Sequence, residues 1–388
     1  MIKQIINNLL FRVVVAIVLG IGAGYIIPES LGRIFATFNS LFDQLLKFLI
    51  PLIIVGLIIP AIAKLGKTAG TLLLTTVGIA YGSTLFAGFS SYLGSMAIFP
   101  SLIDGQVNTA IGESTKTLSP YFTLSFPPLF DVMSALVFAF LIGIGLARLE
   151  NSTLEQAATD FEKIISFLIE KLIIPILPVF IFGIFLDMTY SGKVGMILDV
   201  FIKIIGTIFI MHVLLLVIQF VIAGLVGKKN PFRLLMTMMP AYFTALGTQS
   251  SAATIPVTLA QAKKAGVDED IANFTVPLCA TIHLAGSTLK IVSCVVALML
   301  MQGIPIDTLQ MAGFICMLGV TMIAAPGVPG GAIMAATGVI ASMLGFDAQN
   351  QALMISLYIA MDSFGTACNV TGDGAIAVIV NSIYKRRM

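Results

Sequence analysis

Residues 324–331 read Ala-Ala-Pro-Gly-Val-Pro-Gly-Gly, in the middle of an apolar stretch that runs from 304 to 346. The last six of these positions hold two prolines and three glycines, and such a run cannot continue a helix. Inside a membrane, backbone that leaves a helix is tolerated only against protein, water or a ligand. We therefore interpret 324–331 as the tip of a re-entrant hairpin and a mobile lid over a binding site; a static turn that fills space is the alternative.

The whole chain has the composition of a membrane protein. Of its 388 residues, 58% are hydrophobic and 10% are charged, and the mean hydropathy is +1.04. Soluble domains are about one quarter charged, so this composition excludes a soluble globular protein, a disordered chain and a nucleic-acid-binding protein. The four cysteines lie in apolar runs without a C-x-x-C pair, which indicates core residues rather than a disulfide or metal framework.

Eight further stretches are long enough to cross the hydrocarbon core, which takes about 20 apolar residues. They are 9–27, 36–63, 70–99, 130–147, 164–188, 197–226, 272–302 and 350–383. If 234–262 and 304–346 are both hairpins and the N-terminus is cytoplasmic, most loop lysines and arginines fall inside, and only Arg33, Lys116 and Lys193 fall outside. This asymmetry predicts a multi-pass protein of the cell (inner or plasma) membrane with both termini cytoplasmic.

The stretch 234–262 is broken at 247–256, which reads Gly-Thr-Gln-Ser-Ser-Ala-Ala-Thr-Ile-Pro. Two half-helices meeting there would present a helix N-terminus, which favours an anionic group such as a carboxylate. A kink in an ordinary helix is the alternative. Two broken segments that each precede a span and enter from opposite sides are typical of transporters built from inverted repeats.

Four polar residues of the last span, Asp362, Thr366, Asn369 and Asp373, are spaced four, three and four apart and so share one helix face. Such oxygen ligands suit an alkali cation and an ammonium group. An aspartate at mid-membrane costs about 2.5–3.5 kcal/mol on insertion scales, so it indicates function by default. Polar contact between helices is the alternative.

The preceding span reads Thr-Ile-His-Leu-Ala-Gly-Ser-Thr-Leu-Lys at 281–290, and Gly286 with its hydroxyl neighbours predicts a local unwinding. Lys290 lies well away from both ends of 272–302, so its ammonium cannot easily reach an interface. His283 fits a hydrogen-bonded core residue and a proton carrier about equally well.

Together these motifs resemble the dicarboxylate/amino acid:cation symporter family, which includes the glutamate-transporter homologues. The residues that carry the resemblance are Thr248-Gln249-Ser250-Ser251 through Pro256, Ala325 to Gly331, and Asp362 through Asn369-Val370-Thr371-Gly372-Asp373. The resemblance is strong over about 230–383 and weaker before that.

The resemblance implies an all-α membrane protein with eight transmembrane helices and two re-entrant helical hairpins, arranged as inverted repeats. It also implies a homotrimer in which a transport domain moves like an elevator against a scaffold. Residues 1–69 and 130–196 would supply scaffold helices 1–2 and 4–5. Residues 70–129 would form transport-domain helix 3 and an extracellular loop, and residues 197–388 the rest of the transport domain.

Site roles follow from the same resemblance, position by position. Asp362 matches the residue that binds the substrate amino group, and Thr366 and Asn369 match other substrate contacts. Asp373 matches a sodium ligand with Asn369 beside that ion, and Ser83 and Thr84 match hydroxyl ligands of a further sodium. The substrate contacts expected from the two hairpins are Ser250, Ser251, Pro326, Gly327, Val328 and Gly330.

Two departures from the family pattern concern the substrate. Members that carry acidic substrates have an arginine three residues after the aspartate, where this chain has Gly365, and a second family arginine is Gln249 here. No guanidinium is then available for a second carboxylate, which favours a small neutral amino acid such as serine, threonine or alanine, with room for its side chain at Gly365. An acidic amino acid or dicarboxylate carrier, in which Lys290 compensates for the arginine, is the alternative.

A third departure concerns the coupling ion. The family's Asn-Met-Asp-Gly-Thr is His283-Leu284-Ala285-Gly286-Ser287 here, so two side chains that ligate one sodium are replaced. We hypothesise that the Lys290 ammonium supplies a fixed charge near that lost cation and lowers the number of coupled sodium ions. His283 is then a candidate cation ligand, and proton coupling through His283 is the competing hypothesis.

Other classes fit less well. An intramembrane enzyme would need paired catalytic groups, but the two histidines are far apart and neither H-E-x-x-H nor G-x-S-x-G occurs. A channel would not explain two broken hairpins with mid-membrane aspartates. We therefore predict a secondary-active symporter without catalytic residues, whose partners are an amino acid, the lipid bilayer and its own copies, and no nucleic acid.

Overall fold

The fold is known from a computed structural model, which describes residues 9–67, 70–103, 118–149, 152–192, 194–325 and 329–385. Every element of regular structure in these ranges is helical. The first seven α-helices are α1 (Leu9–Ile26), α2 (Glu29–Lys67), α3 (Thr71–Leu102), α4 (Val132–Ala147), α5 (Thr153–Leu168), α6 (Ile174–Tyr190) and α7 (Val194–Gly227). The remaining eight are α8 (Pro231–Thr248), α9 (Ser251–Lys264), α10 (Glu269–Ile282), α11 (Ala285–Met301), α12 (Thr308–Ile323), α13 (Gly331–Leu344), α14 (Ala348–Ala360) and α15 (Asp362–Lys385).

Within the described ranges, six helical stretches are long and apolar enough to cross a membrane. They are Glu29–Ala63, Thr71–Leu102, Thr153–Tyr190, Leu198–Gly227, Glu269–Met301 and Asp362–Tyr384. Four shorter apolar helices accompany them: Phe11–Ile26, Ser134–Ala147, Thr308–Ile323 and Gly331–Leu344. An all-helical membrane protein is therefore confirmed, while the arrangement of eight crossings and two hairpins stays a prediction.

The third of these stretches is irregular near its two prolines, Pro175 and Pro178. Helix α5 ends at Leu168, a π-helical turn covers Ile169–Ile173, and α6 has Pro175 at its second position. Proline removes a backbone donor and clashes with the carbonyl four residues earlier, and the wider π turn accommodates this. The helix also begins earlier than the hydropathy predicts, at Thr153, because the charged residues that precede 164 form an amphipathic first half rather than a turn.

Helix packing falls into two groups. In the first group α1 packs against α6, and α2 packs against α4, α5 and α6. In the other group α11 lies at the centre, buried along almost its whole length, and contacts α3, α7, α14 and α15. Hydroxyl groups join α3 to α11, because Ser91 Oγ donates to the Leu289 carbonyl at 2.6 Å and lies 2.7 Å from Ser293 Oγ.

Both broken segments fold as pairs of short helices that pack on each other, α8 with α9 and α12 with α13. In the first pair, Gln249 takes a left-handed backbone with φ of 53° and Ser250 caps α9, where its Oγ accepts from the Ala253 N–H at 3.3 Å. In the second pair, Gly330 precedes α13 with φ of 74°, a conformation that favours glycine. The predicted tip residues Pro326, Gly327 and Val328 lie outside the described residues.

The two later spans are interrupted as well. The span predicted over 272–302 breaks at His283 and Leu284, between α10 and α11. This is just before the Gly286 that predicts an unwinding. The span predicted over 350–383 breaks at Met361, between α14 and α15, and no proline or glycine stands at that position. Helix ends carry unpaired backbone groups, so the two breaks bring polar backbone next to the buried charges.

Gly20 and Gly24 of α1 allow it to approach α6 closely. A Cβ atom at Gly24 would lie 2.5 Å from Thr189 Cβ, whereas one at Gly22 would meet no described atom within 4 Å. We expect Gly24→Val to lower the midpoint of thermal unfolding in detergent by a few degrees, because overpacking costs about 1–3 kcal/mol. Gly22→Val is the matched control on the same helix, and equal shifts for the two variants would contradict this packing.

Candidate functional site

The predicted substrate carboxylate, Asp362, is the first residue of α15, directly after the break at Met361. It is 4% exposed, and its Oδ1 accepts from the Lys290 ammonium at 2.9 Å. Lys290 lies on α11 and is fully buried, at 0% exposure. A buried ion pair of this kind balances two charges that would each be very costly alone.

The ammonium of Lys290 has further contacts that hold it in place. It donates to the Tyr358 carbonyl at 3.4 Å and lies 3.3 Å from the centre of the Tyr358 ring, a cation–π contact. Tyr358 in turn donates from its hydroxyl to Ser287 Oγ at 3.1 Å. The lysine is therefore fixed by a carboxylate, a carbonyl and an aromatic face that all come from α14 and the start of α15.

Gly365, which stands where acidic-substrate relatives have arginine, makes room for this lysine. A Cβ atom at Gly365 would lie 2.9 Å from Lys290 Nζ and 3.0 Å from its Cε. The sequence predicts that this space would receive a substrate side chain, but in the structure the end of Lys290 fills it. The structure also places the ammonium on the predicted substrate carboxylate, Asp362.

Asp362 also holds the second hairpin. Its other oxygen, Oδ2, accepts from the backbone N–H of Gly330 at 2.8 Å. Gly330 precedes α13, so the carboxylate caps the N-terminal end of that helix, where negative charge is favoured. One side chain thus links Lys290 on α11 to the end of the predicted lid.

Asn369 holds the start of α11. Its Oδ1 accepts from the Gly286 N–H at 2.8 Å and the Ser287 N–H at 3.3 Å, and its Nδ2 donates to Ser287 Oγ at 3.0 Å. His212 on α7 supports the same break, since its Nε2 lies 2.9 Å from the Gly286 carbonyl. The amide of Asn369 is therefore engaged with helix α11 in this conformation.

The other predicted substrate contacts lie on elements that pack together. Thr366 lies one turn after Asp362 and is buried. Ser250 and Ser251 lie at the start of α9, and both α8 and α9 pack against α15. The first hairpin thus presents its helix N-terminus within the same helix group as Asp362.

Asp373, the predicted sodium ligand, is paired with the predicted cation ligand His283. His283 Nδ1 lies 2.9 Å from Asp373 Oδ1, and its Nε2 lies 3.1 Å from Ser83 Oγ. Gln219 Nε2 donates to the same Ser83 Oγ at 3.0 Å. With a neutral imidazole, the donors form one chain: Gln219 to Ser83, Ser83 to His283, and His283 to the carboxylate.

Gln219 also has an amide oxygen that remains open for a cation. Within the described part of the structure, Gln219 Oε1 and Thr371 Oγ1 are buried without a hydrogen-bond partner. Gln219 Oε1 would lie 2.8 Å from a Cβ atom at Gly372, the neighbour of Asp373. Thr84, the second predicted hydroxyl ligand, is buried and donates to the Ala80 carbonyl at 2.9 Å. Amide, hydroxyl and carboxylate oxygens are the ligands that hard cations prefer.

Two residues of the site, Gln219 and Tyr358, do not emerge from the sequence motifs. Gln219 carries a detectable signal, since an amide within the apolar span 197–226 is expensive and usually has a specific partner. Tyr358 carries none, because a tyrosine in an apolar helix is ordinary. Its role depends on the break at Met361, which turns its carbonyl toward Lys290.

Two pairs of packed short helices, with buried aspartates near interrupted spans, are features that secondary transporters share. The family model described as the sodium:dicarboxylate symporter family matches residues 9–383, and the chain belongs to that family. It is therefore a multi-pass membrane transporter.

The chain is similar to curated relatives over nearly its whole length. A protein named serine/threonine transporter SstT from Acinetobacter baumannii is 28% identical, with 94% of each chain covered. A protein of the same name from Acinetobacter baylyi is 26% identical, with 97% of this chain and 98% of the relative covered.

Proposed function

We propose that this protein is a secondary-active symporter that moves a small neutral amino acid, such as serine, threonine or alanine, into the cell together with sodium. The observation that carries the proposal is the buried Asp362 carboxylate, which lies at a helix break and contacts the end of the second hairpin. A carboxylate in that position can accept an amino acid's ammonium group. The names of the relatives support the same substrate class.

Charge balance favours a neutral substrate. Asp362 and Lys290 together carry no net charge, and a zwitterionic amino acid carries none either. When the zwitterion enters, its ammonium can take Asp362 and its α-carboxylate can take Lys290, so that every buried charge keeps a partner. An acidic amino acid would bring one more carboxylate, whose burial without a partner is very costly.

For the coupling ion, the oxygens around Asp373 favour sodium. The carboxylate and Gln219 Oε1 are hard ligands that suit an alkali cation. The family's description, which names sodium, supports this choice. Protons are the second candidate, because the imidazole of His283 lies in hydrogen-bond contact with Asp373.

The transport movement we propose is an elevator motion in a homotrimer. In this proposal α1, α2, α4, α5 and α6 form the scaffold, while α3 and α7–α15 carry the site as one body. The two groups of packed helices support this division. Eight crossings, two re-entrant hairpins and cytoplasmic termini complete the arrangement.

Thermal stability of the purified protein tests the substrate class. We expect serine, threonine and alanine to raise the unfolding midpoint in sodium buffer, since a ligand at 100 times its Kd stabilises by about 2.7 kcal/mol. The rise should shrink when choline replaces sodium, and aspartate should have little effect. A rise with aspartate alone would contradict a neutral substrate.

A carrier of acidic substrates is the second candidate, and one observation favours it. The Lys290 ammonium lies beside Gly365, where the family's arginine side chain would start. It could therefore serve a side-chain carboxylate as that arginine does. In proteoliposomes, competition against labelled serine separates the candidates: alanine and threonine compete if the substrate is neutral, and aspartate competes if it is acidic.

A further inference from the structure

We propose that Lys290 is a tethered cation that occupies the substrate's ammonium position on Asp362 while the carrier is empty, and so allows the empty site to close and cross the membrane. This inference rests on the proposed function. Lys290 would act in the step in which the empty carrier returns. In that step no substrate ammonium balances the Asp362 carboxylate, so the protein must supply the positive charge itself.

Lys290 and Asp362 form a neutral ion pair at the predicted substrate position. Lys290 is fully buried and its ammonium lies 2.9 Å from Asp362 Oδ1. The carboxyl oxygen that the substrate ammonium needs is thus occupied by a group of the same chemistry. The space in front of Gly365 holds the end of the lysine chain, and a Cβ atom there would come within 2.9 Å of Nζ.

The second hairpin binds the same carboxylate. Asp362 Oδ2 accepts from the Gly330 N–H at 2.8 Å, so the neutralised carboxylate also holds the end of the second hairpin. One carboxylate therefore contacts both partners. Its Oδ1 binds the Lys290 ammonium, and its Oδ2 binds the Gly330 N–H at the end of the predicted lid.

In the transport cycle, both the loaded carrier and the empty carrier must cross the membrane. A buried charge without a partner is strongly disfavoured in a membrane protein. With Lys290, the empty site holds one ammonium and one carboxylate, and the loaded site holds two of each. Without Lys290 the empty site would hold a bare carboxylate, whereas the loaded site would still pair Asp362 with the substrate ammonium and would offer the substrate carboxylate the N-terminus of α9 in place of Lys290. Loss of Lys290 should therefore impair the empty return more than the loaded movement.

Two transport modes separate these movements in proteoliposomes. Net uptake of labelled serine into substrate-free vesicles requires the empty return, while exchange into vesicles preloaded with unlabelled serine does not. We expect Lys290→Met to lower the ratio of net uptake to exchange at least about tenfold, equivalent to about 1.4 kcal/mol. Exchange measured on the same vesicles reports that the variant is folded and active.

Gly365→Ala provides a second variant without a change of charge. Its Cβ should push the ammonium off Asp362, so the same ratio should fall by a smaller factor. Lys163→Met is the matched control, since Lys163 pairs with Asp160 at 2.8 Å on an exposed surface and should leave the ratio unchanged. If Lys290→Met does not fold, Gly365→Ala decides the question by the same ratio.

The outcomes distinguish this inference from the proposed function. A ratio equal to wild type in Lys290→Met, or loss of exchange together with net uptake, would overturn the role of Lys290. Wild-type protein that carries none of serine, threonine and alanine in either mode would count against the proposed function instead.

Discussion

Asp362→Asn is expected to reduce serine uptake by a factor on the order of 100 or more, in net uptake and exchange alike. The change removes the acceptor for the substrate ammonium and leaves Lys290 buried without its counter-charge, and breaking a buried pair costs about 3–5 kcal/mol. It also weakens the charge-assisted contact to the Gly330 N–H at the second hairpin. Initial rates of labelled serine uptake in proteoliposomes measure the effect.

A double variant separates lost binding from lost folding. Asp362→Asn combined with Lys290→Met removes both charges, so its thermal stability should recover relative to Asp362→Asn while its uptake should not. Asp199→Asn is the matched control, because Asp199 pairs with Lys203 at 2.7 Å and its side chain is 66% exposed. Wild-type uptake in Asp362→Asn would refute the assignment of this carboxylate to the substrate.

Asp373→Asn is expected to abolish the sodium dependence of uptake, with a loss of at least about tenfold in rate at saturating sodium. The change removes the negative charge that would balance the cation and leaves only neutral oxygens such as Gln219 Oε1. Sodium titrations of uptake and of thermal stability measure the effect. Asp160→Asn, in an exposed pair, is the control.

The variant His283→Asn distinguishes between sodium and protons as the coupling ion. If sodium is coupled, His283→Asn should retain sodium-dependent uptake, because the asparagine oxygen can ligate the ion and Asp373 remains. If protons are coupled, wild-type uptake should persist without sodium and respond to a pH gradient, and His283→Asn should lose that response. For the variant Asp373→Asn, a sodium titration equal to that of the wild-type protein would contradict a cation site at Asp373.

Most of the fold was accessible from the sequence because its signals are local. Apolar run length predicts the helices, and the prolines and glycines near 326–331 predict where a helix cannot continue. The break at Met361 was not predictable, since no proline or glycine stands at that position. It follows from tertiary packing, where Asp362 turns toward Lys290 and Gly330.

The site was accessible only in part. Asp362 and Asp373 stand out because charges are scarce in this chain, and the family resemblance gives them roles. Their partners could not be assigned from the sequence, because Lys290 lies 72 residues from Asp362 and His283 lies 90 residues from Asp373. Spacing places these two near one face of a span, but only the three-dimensional structure shows that each one pairs with a different aspartate of α15.

Sodium-driven accumulation of serine in proteoliposomes of the purified protein tests the central claim most directly. We expect an inward sodium gradient to concentrate labelled serine inside above its outside level, and an ionophore that collapses the gradient to release it. Accumulation that needs no sodium gradient, or none of any small neutral amino acid when the gradient is present, would contradict a sodium-coupled neutral amino acid symporter.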